Sequence, residues 1–172
     1  MDKKLETSLN NVEATYSELV VIANDMLGPI FTPINEIINQ VNANVNAMPI
    51  DQIRDYILTL QLKAFEISEI KEKAALKAEL AEVLQKEKFA VSFNGLDGSA
   101  TAKEKLALVE TSAEIVTEAL YSLVANLLRT KLDQLHRLVD ALKSILMSRM
   151  QENKFIQNQT VGQPGERTYL VE

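Results

Sequence analysis

The sequence predicts an all-α protein: an elongated helical bundle of three to four helices with one long C-terminal helix and coiled-coil-like packing. Three observations carry this. Leu106, Val109, Ala113, Val116, Leu120, Leu123 and Leu127 follow one another at alternating steps of three and four, and no Gly or Pro interrupts the run from Thr101 to Asn153, the pattern of a single amphipathic helix. Such a helix is about 75 Å long at about 1.5 Å per residue, against roughly 40 Å for the diameter of a compact domain of this chain length. The same spacing recurs in every segment except 89–100 and the tail.

The N-terminal segment, 1–48, is expected to be helical and kinked at Gly28-Pro29. Leu5, Leu9, Val12, Tyr16, Leu19, Ala23 and Met26 form a heptad series over about 4–27. Gly28-Pro29 then ends or kinks that helix. Thr32-Pro33 restarts it, with Pro at the first helical position. Ile34, Ile37, Ile38, Val41 and Val45 form its apolar face. Asn35, Asn39, Asn42, Asn44 and Asn46 are poor helix formers, so packing must hold this piece. Pro49 pushes Met48 out of helical geometry.

Residues 49–153 read as a helical hairpin with its turn at 94–100. Asp51 is the expected N-cap of a helix reaching about Phe89. Ile53, Ile57, Leu60, Ala64 and Ile67 line its apolar face, widened by Leu58, Leu62 and Phe65. Leu76, Leu80, Val83 and Leu84 form the stripe of its charged second half. Phe89-Ala90-Val91-Ser92-Phe93 alternates like a strand, but no second strand is evident to pair with it, so it is assigned to the helix end. Asn94-Gly95 and Asp97-Gly98 are turn dipeptides. Thr101 with Glu104 reads as a capping box opening the long helix. That helix slips phase where Val116, Leu120, Val124, Leu128 and Leu132 run at steps of four, which lets it run nearly straight. Residues 154–172 lack apolar periodicity and are read as a flexible tail.

The chain has 172 residues, no Cys and a net charge of −6. Without Cys there are no disulfides, thiolate nucleophiles or Cys-ligated metals. A reducing compartment fits, so a cytoplasmic location is expected. Residues 1–4 lead into an amphipathic pattern with no apolar signal core. The nearly uncharged stretch 26–50 is broken by Pro29, Pro33 and Pro49, so it is no membrane span. The acidic balance argues against a dedicated duplex-DNA binder.

No residue set names a reaction. His136 is the only His, and Asp133-x-x-His136 alone cannot build a di-metal site of the ferritin type. Glu110, Glu114 and Glu118 share a face. Glu66, Glu69, Glu72, Glu79 and Glu82 make an acidic run with lysines interleaved, which is what a solvated face looks like. The Glu-x-x-Glu pairs resemble the magnesium sites of all-helical nucleotide pyrophosphatases, and an all-α metal-dependent nucleotide pyrophosphohydrolase is one alternative. Against it, Glu66, Glu69, Glu79 and Glu82 fall on one expected helix with no turn between them. There is no phosphate loop, nucleophile motif or Zn spacing. No catalytic residue, metal ligand or cofactor is assigned, and the chain is read as non-enzymatic.

Residues 126–172 carry seven Lys/Arg against five Asp/Glu, net +2, and residues 1–125 carry eleven against nineteen, net −8. Arg129, Arg137, Lys143 and Arg149 are therefore the candidate nucleic-acid contacts. They would touch phosphates, so binding should be weak and salt-sensitive. The apolar face of the long helix outruns what the shorter helices can cover. A homo-oligomer, most simply a dimer, is expected, with Leu120, Leu128, Leu132, Leu135, Val139, Leu142 and Leu146 as its interface.

The segment Leu76-Lys77-Ala78-Glu79-Leu80-Ala81-Glu82, the turn Asp97-Gly98-Ser99-Ala100-Thr101 and the run from Leu135 to Ser144 resemble, over about 50–153, small all-helical proteins of tailed bacteriophages from early recombination and replication regions. The resemblance implies a non-enzymatic accessory factor in DNA recombination or replication, and no specific residue carries over. An adaptor or inhibitor binding a host protein is the other interaction reading, and it needs no DNA affinity.

Overall fold

The computed structural model describes residues 3–161, with side chains placed for 13–155. They form α1 (Lys3–Asn44), a short 3-10 turn (Val45–Ala47), α2 (Ile50–Gly95), α3 (Ala100–Glu110) and α4 (Ser112–Val161). The described residues contain no strand, so the chain is all-α as its spacing predicts. No helix among them is long and apolar enough to cross a membrane.

α2 doubles back on α3 and α4. Lys88 meets Glu114, Lys77 lies over Tyr121, and Arg54 reaches Met150. α1 runs parallel to α4, with Asn35 against Lys131 and Val45 against Arg149. The result is an up-down-up bundle of three rods, about 69 Å long for the 46 residues of α2.

The core is layered in steps of seven. Leu27, Ile34 and Val41 of α1, Ile53, Leu60 and Ile67 of α2, and Leu128, Leu135 and Leu142 of α4 are all buried in one cluster. A seven-residue step on every helix keeps each seam facing its neighbours, as in a coiled coil.

α1 departs from its sequence reading. It is one helix through Pro29 and Pro33, not two pieces. Each proline removes a backbone donor, yet Leu27, Ile34 and Val41 lie on one buried face spanning both. Packing on either side holds the helix together. The Thr32 hydroxyl donates to the Gly28 carbonyl at 2.8 Å, binding this weakened turn to itself. The buried line is Leu19, Ala23 and Leu27, so Met26 and Tyr16 of the expected series point outward. Leu5, Leu9 and Val12 lie outside the residues with described side chains.

α2 keeps a single phase from end to end. Ile53, Ile57, Leu60, Ala64 and Ile67 are buried as expected. Continuing that line at steps of three and four reaches Ala74, Ala78 and Ala81, and these are the buried residues of the second half. Leu76, Leu80, Val83 and Leu84 are exposed, and so are Leu58, Leu62 and Phe65. Side-chain size therefore misled the reading: a straight helix cannot rotate its buried face to follow its larger residues. Asp51 does not cap α2, which starts after Pro49 without a side-chain cap bond; it lies in the first turn and pairs with Arg54 at 3.3 Å. The Phe89–Phe93 segment is helical, with the two rings stacked 6.0 Å apart.

The turn is tighter than expected, Leu96 to Ser99. Gly98 has φ +123°, a conformation that L side chains rarely adopt, so a glycine is required there. Ser99, not Thr101, is the N-cap of α3, accepting from the Ala102 N–H at 3.4 Å. The long helix is interrupted once, at Thr111 (φ −99°, ψ 8°). The hydroxyl of this buried residue donates to Ala107 O at 3.0 Å and approaches Leu108 O at 3.3 Å, the back-bonding that bends helices. The backbone ladder continues across it, through Thr111 N to Ala107 O and Ile115 N to Thr111 O, both 3.1 Å. The expected phase slip at 116–132 leaves no break in α4. α4 reaches Val161, eight residues past its expected end. The rest of the expected tail, 162–172, lies outside the described residues.

Candidate interaction surfaces

The proposed oligomer interface is largely the chain's own core. Leu128, Leu135, Val139 and Leu142 are buried against α1 and α2 within one chain, and Leu120, Leu132 and Leu146 pack half-buried around them. The expectation fails because α1 is continuous and α2 reaches Gly95, so two full-length rods cover the face of α4.

Of the four candidate phosphate contacts, three share a side of α4. Arg129, Arg137 and Lys143 are exposed and fall within about 120° of the helix circumference at about 100° per residue. Arg149 points elsewhere. Its guanidinium donates to the carbonyls of Val45 and Met48, in the corner between the end of α1 and the start of α2. It clips the α1–α2 corner and is not offered to a ligand. The remaining three are interleaved with Asp133 and Asp140 on the same side, and Asp140 lies 4.0 Å from Lys143. That alternation weakens the field a phosphate backbone would meet.

His136 is exposed on this side, lining an open groove between α2 and α4 with Phe65, Gln61, Asp140 and Lys143. The acidic run is engaged by lysines. Glu66 lies 2.6 Å from Lys63, Glu69 lies 2.6 Å from Lys73, and Glu82 pairs with Lys86. The hydrogen bond from Lys73, then its charge, holds the Glu69 carboxyl below the usual carboxylate value. Across the bundle Glu114 meets Lys88 at 3.0 Å, and the hydrogen bond from Lys88, then one from its own backbone N–H, holds its carboxyl below the usual value. Among the described residues no three acidic or histidine side chains gather as a metal would need.

The most distinctive surface escaped the sequence reading. Leu58, Leu62, Phe65, Leu76, Leu80 and Val83 of α2 are each more than half exposed. They lie within about 60° of one another, on the side of the helix opposite its buried line. The other described helices cover the inner face of α2 and leave this one exposed. Val109 and Val116 add exposed apolar positions at the far end of the bundle. The signal was available in the sequence: beside the line from Ile53 to Ala81, a second set of apolar residues at steps of four and three occurs at 58–65 and again at 76–83. Comparison with protein-family models, with curated proteins and with solved structures gives no match to this chain.

Proposed function

We propose that this chain is a non-enzymatic helical interaction protein, a rigid rod that works by docking. The observation that carries the reading is the outer apolar line of α2. Leu58, Leu62 and Phe65 form one exposed apolar patch and Leu76, Leu80 and Val83 a second, parted by Glu69, Glu72 and Lys73, and exposed apolar patches of this kind mark interaction sites. The resemblance to tailed-phage early-region proteins supports an accessory role in DNA recombination or replication. The interleaving of Asp133 and Asp140 with Arg129 and Lys143 favours the second reading, an adaptor or inhibitor of a host protein that needs no DNA affinity. A nucleotide pyrophosphohydrolase has less support, since Glu66, Glu69 and Glu82 are each held by a lysine on their own helix.

The test is retention of a protein partner by the immobilised chain beside its Phe65→Glu and Val109→Glu variants. A partner kept by the wild type and released by one of them, at unchanged helicity, supports docking through an outer apolar face. Equal retention by all three argues against it. Mg²⁺-dependent nucleotide turnover abolished by Glu69→Gln would overturn the non-enzymatic reading.

A further inference from the structure

We propose that the outer face of α2 receives a basic amphipathic helix of a partner protein. That helix sets lysines or arginines against Glu69 and Glu72, and an apolar cluster against the patch on either side of them. The inference rests on the reading of this face as a docking surface and names the chemistry of its occupant.

The exposed line is a repeat. Leu58, Leu62 and Phe65 recur eighteen residues further on as Leu76, Leu80 and Val83. Asp51, Glu69 and Glu87 stand at the same eighteen-residue interval and bracket the two patches. Eighteen residues make about five turns and about 27 Å at about 1.5 Å each, so both patches and all three acids face one way. All are exposed.

The residues between the patches decide what can lie there. From Leu58 the line runs through Leu62, Phe65, Glu69, Glu72 and Leu76 at steps of four and three. That is the spacing of a seam against another helix, with two acids where apolar residues would otherwise stand. Closing the seam takes their carboxylates out of water, which is costly unless a base faces them. Their present partners lie on α2 itself, Lys73 at 2.6 Å from Glu69 and Lys71 at 2.8 Å from Glu72.

The rest of the face has the same sign. Asp55, Glu79 and Glu87 lie within about 60° of Leu58 and Leu76 around the helix, and none of them has an ion pair among the described residues. The bases in that arc are Arg54 and Lys73, each already paired with an acid of α2. A basic helix is the complement of such a face, and complementary charge fixes its register. The same face of a second copy offers the same acids and lacks that complement. From Leu58 to Val83 the line is about 38 Å long, so the partner helix needs about 25 residues to engage both patches.

Three labelled synthetic helical peptides serve as probes of the full chain, read by fluorescence anisotropy. The first carries two apolar triplets at steps of four and three, eighteen residues apart, with lysines at the seam positions between them. The second has glutamates in place of those lysines. The third keeps the composition of the first but brings the triplets two residues closer, which turns one away by about 200°. The chain is expected to bind the first and to hold the other two more weakly, on the order of tenfold or more. Phe65→Glu and Leu80→Glu, each with helicity retained, should weaken the first peptide, and so should added salt. The double variant Glu69→Lys/Glu72→Lys should exchange the preference, losing the first peptide and gaining the second. No binding of the first peptide, equal binding of the first and second, indifference to both patch variants, or an unchanged preference in the double variant overturns the proposal. A protein partner released by Phe65→Glu from a chain that ignores the first peptide would keep the docking face and remove this occupant.

Discussion

Leu60 and Leu62 lie two residues apart on α2, yet Leu60 is 0% exposed and Leu62 is 60% exposed. Leu60→Ala removes three carbons from the middle of the core. At about 0.8 kcal/mol per carbon the transfer loss is about 2.4 kcal/mol, and the cavity left between three rigid rods brings the total into the range of about 2–5 kcal/mol. Leu62→Ala removes the same atoms where about 40% of the side chain is shielded, so its loss is about 1 kcal/mol. The two variants should differ by about 1–4 kcal/mol, although their composition is identical. Guanidinium unfolding followed by helical circular dichroism, at the lowest workable concentration, reads this as a separation of midpoints at an unchanged slope. Equal midpoints, or a larger loss at Leu62, would refute the single-phase description of α2.

Three further outcomes follow from the geometry. Gly28 is inside α1 and an added Cβ there meets nothing within 4 Å beyond its chain neighbours, but it would stand against the Pro29 ring, which disfavours helical geometry for the residue before it. Gly28→Ala should therefore raise the thermal midpoint by less than corresponds to the gain of about 0.5–1 kcal/mol for Gly→Ala in an ordinary helix interior. Arg149→Met should leave the Val45 and Met48 carbonyls without their guanidinium donor, costing about 1–3 kcal/mol and speeding hydrogen exchange at the α1–α2 corner while the α2–α3 turn is unchanged. Burial pushes the Lys131 ammonium below its ordinary 10.5, even as it donates to Asn35 Oδ1 at 2.6 Å and lies 5.3 Å from the Phe31 ring centre. Just below pH 10.5 the unfolded chain therefore holds more of this proton than the folded chain, and stability should rise with pH there; subtracting the pH profile of Lys131→Met isolates that rise, and identical profiles would refute it.

Where apolar residues recur on one line without a rival, as at Ile53 to Ile67 and Leu128 to Leu142, the sequence alone identifies helix, face and core. The turn dipeptide Asp97-Gly98 is legible for a similar local reason, since its glycine needs a positive φ. The all-α class rests on many such windows agreeing, which is why it survives errors in single elements. Reading fails where two lines compete or where a local signal meets a tertiary one. Leu76, Leu80 and Val83 outrank Ala74, Ala78 and Ala81 in size, but only the alanines continue the phase of Ile67, and a helix packed along its length keeps one phase. Pro29 and Pro33 carry a strong local stop signal, yet the burial of Leu27, Ile34 and Val41 against two neighbouring rods carries α1 through them. Arg149 looks like any other basic residue until the chain folds back and sets the end of α1 beside it. The sequence by itself determined that this protein is helical, elongated and acidic. Only the tertiary structure decided which apolar face of α2 lies inside and which is left exposed, because burial depends on what the other helices can reach.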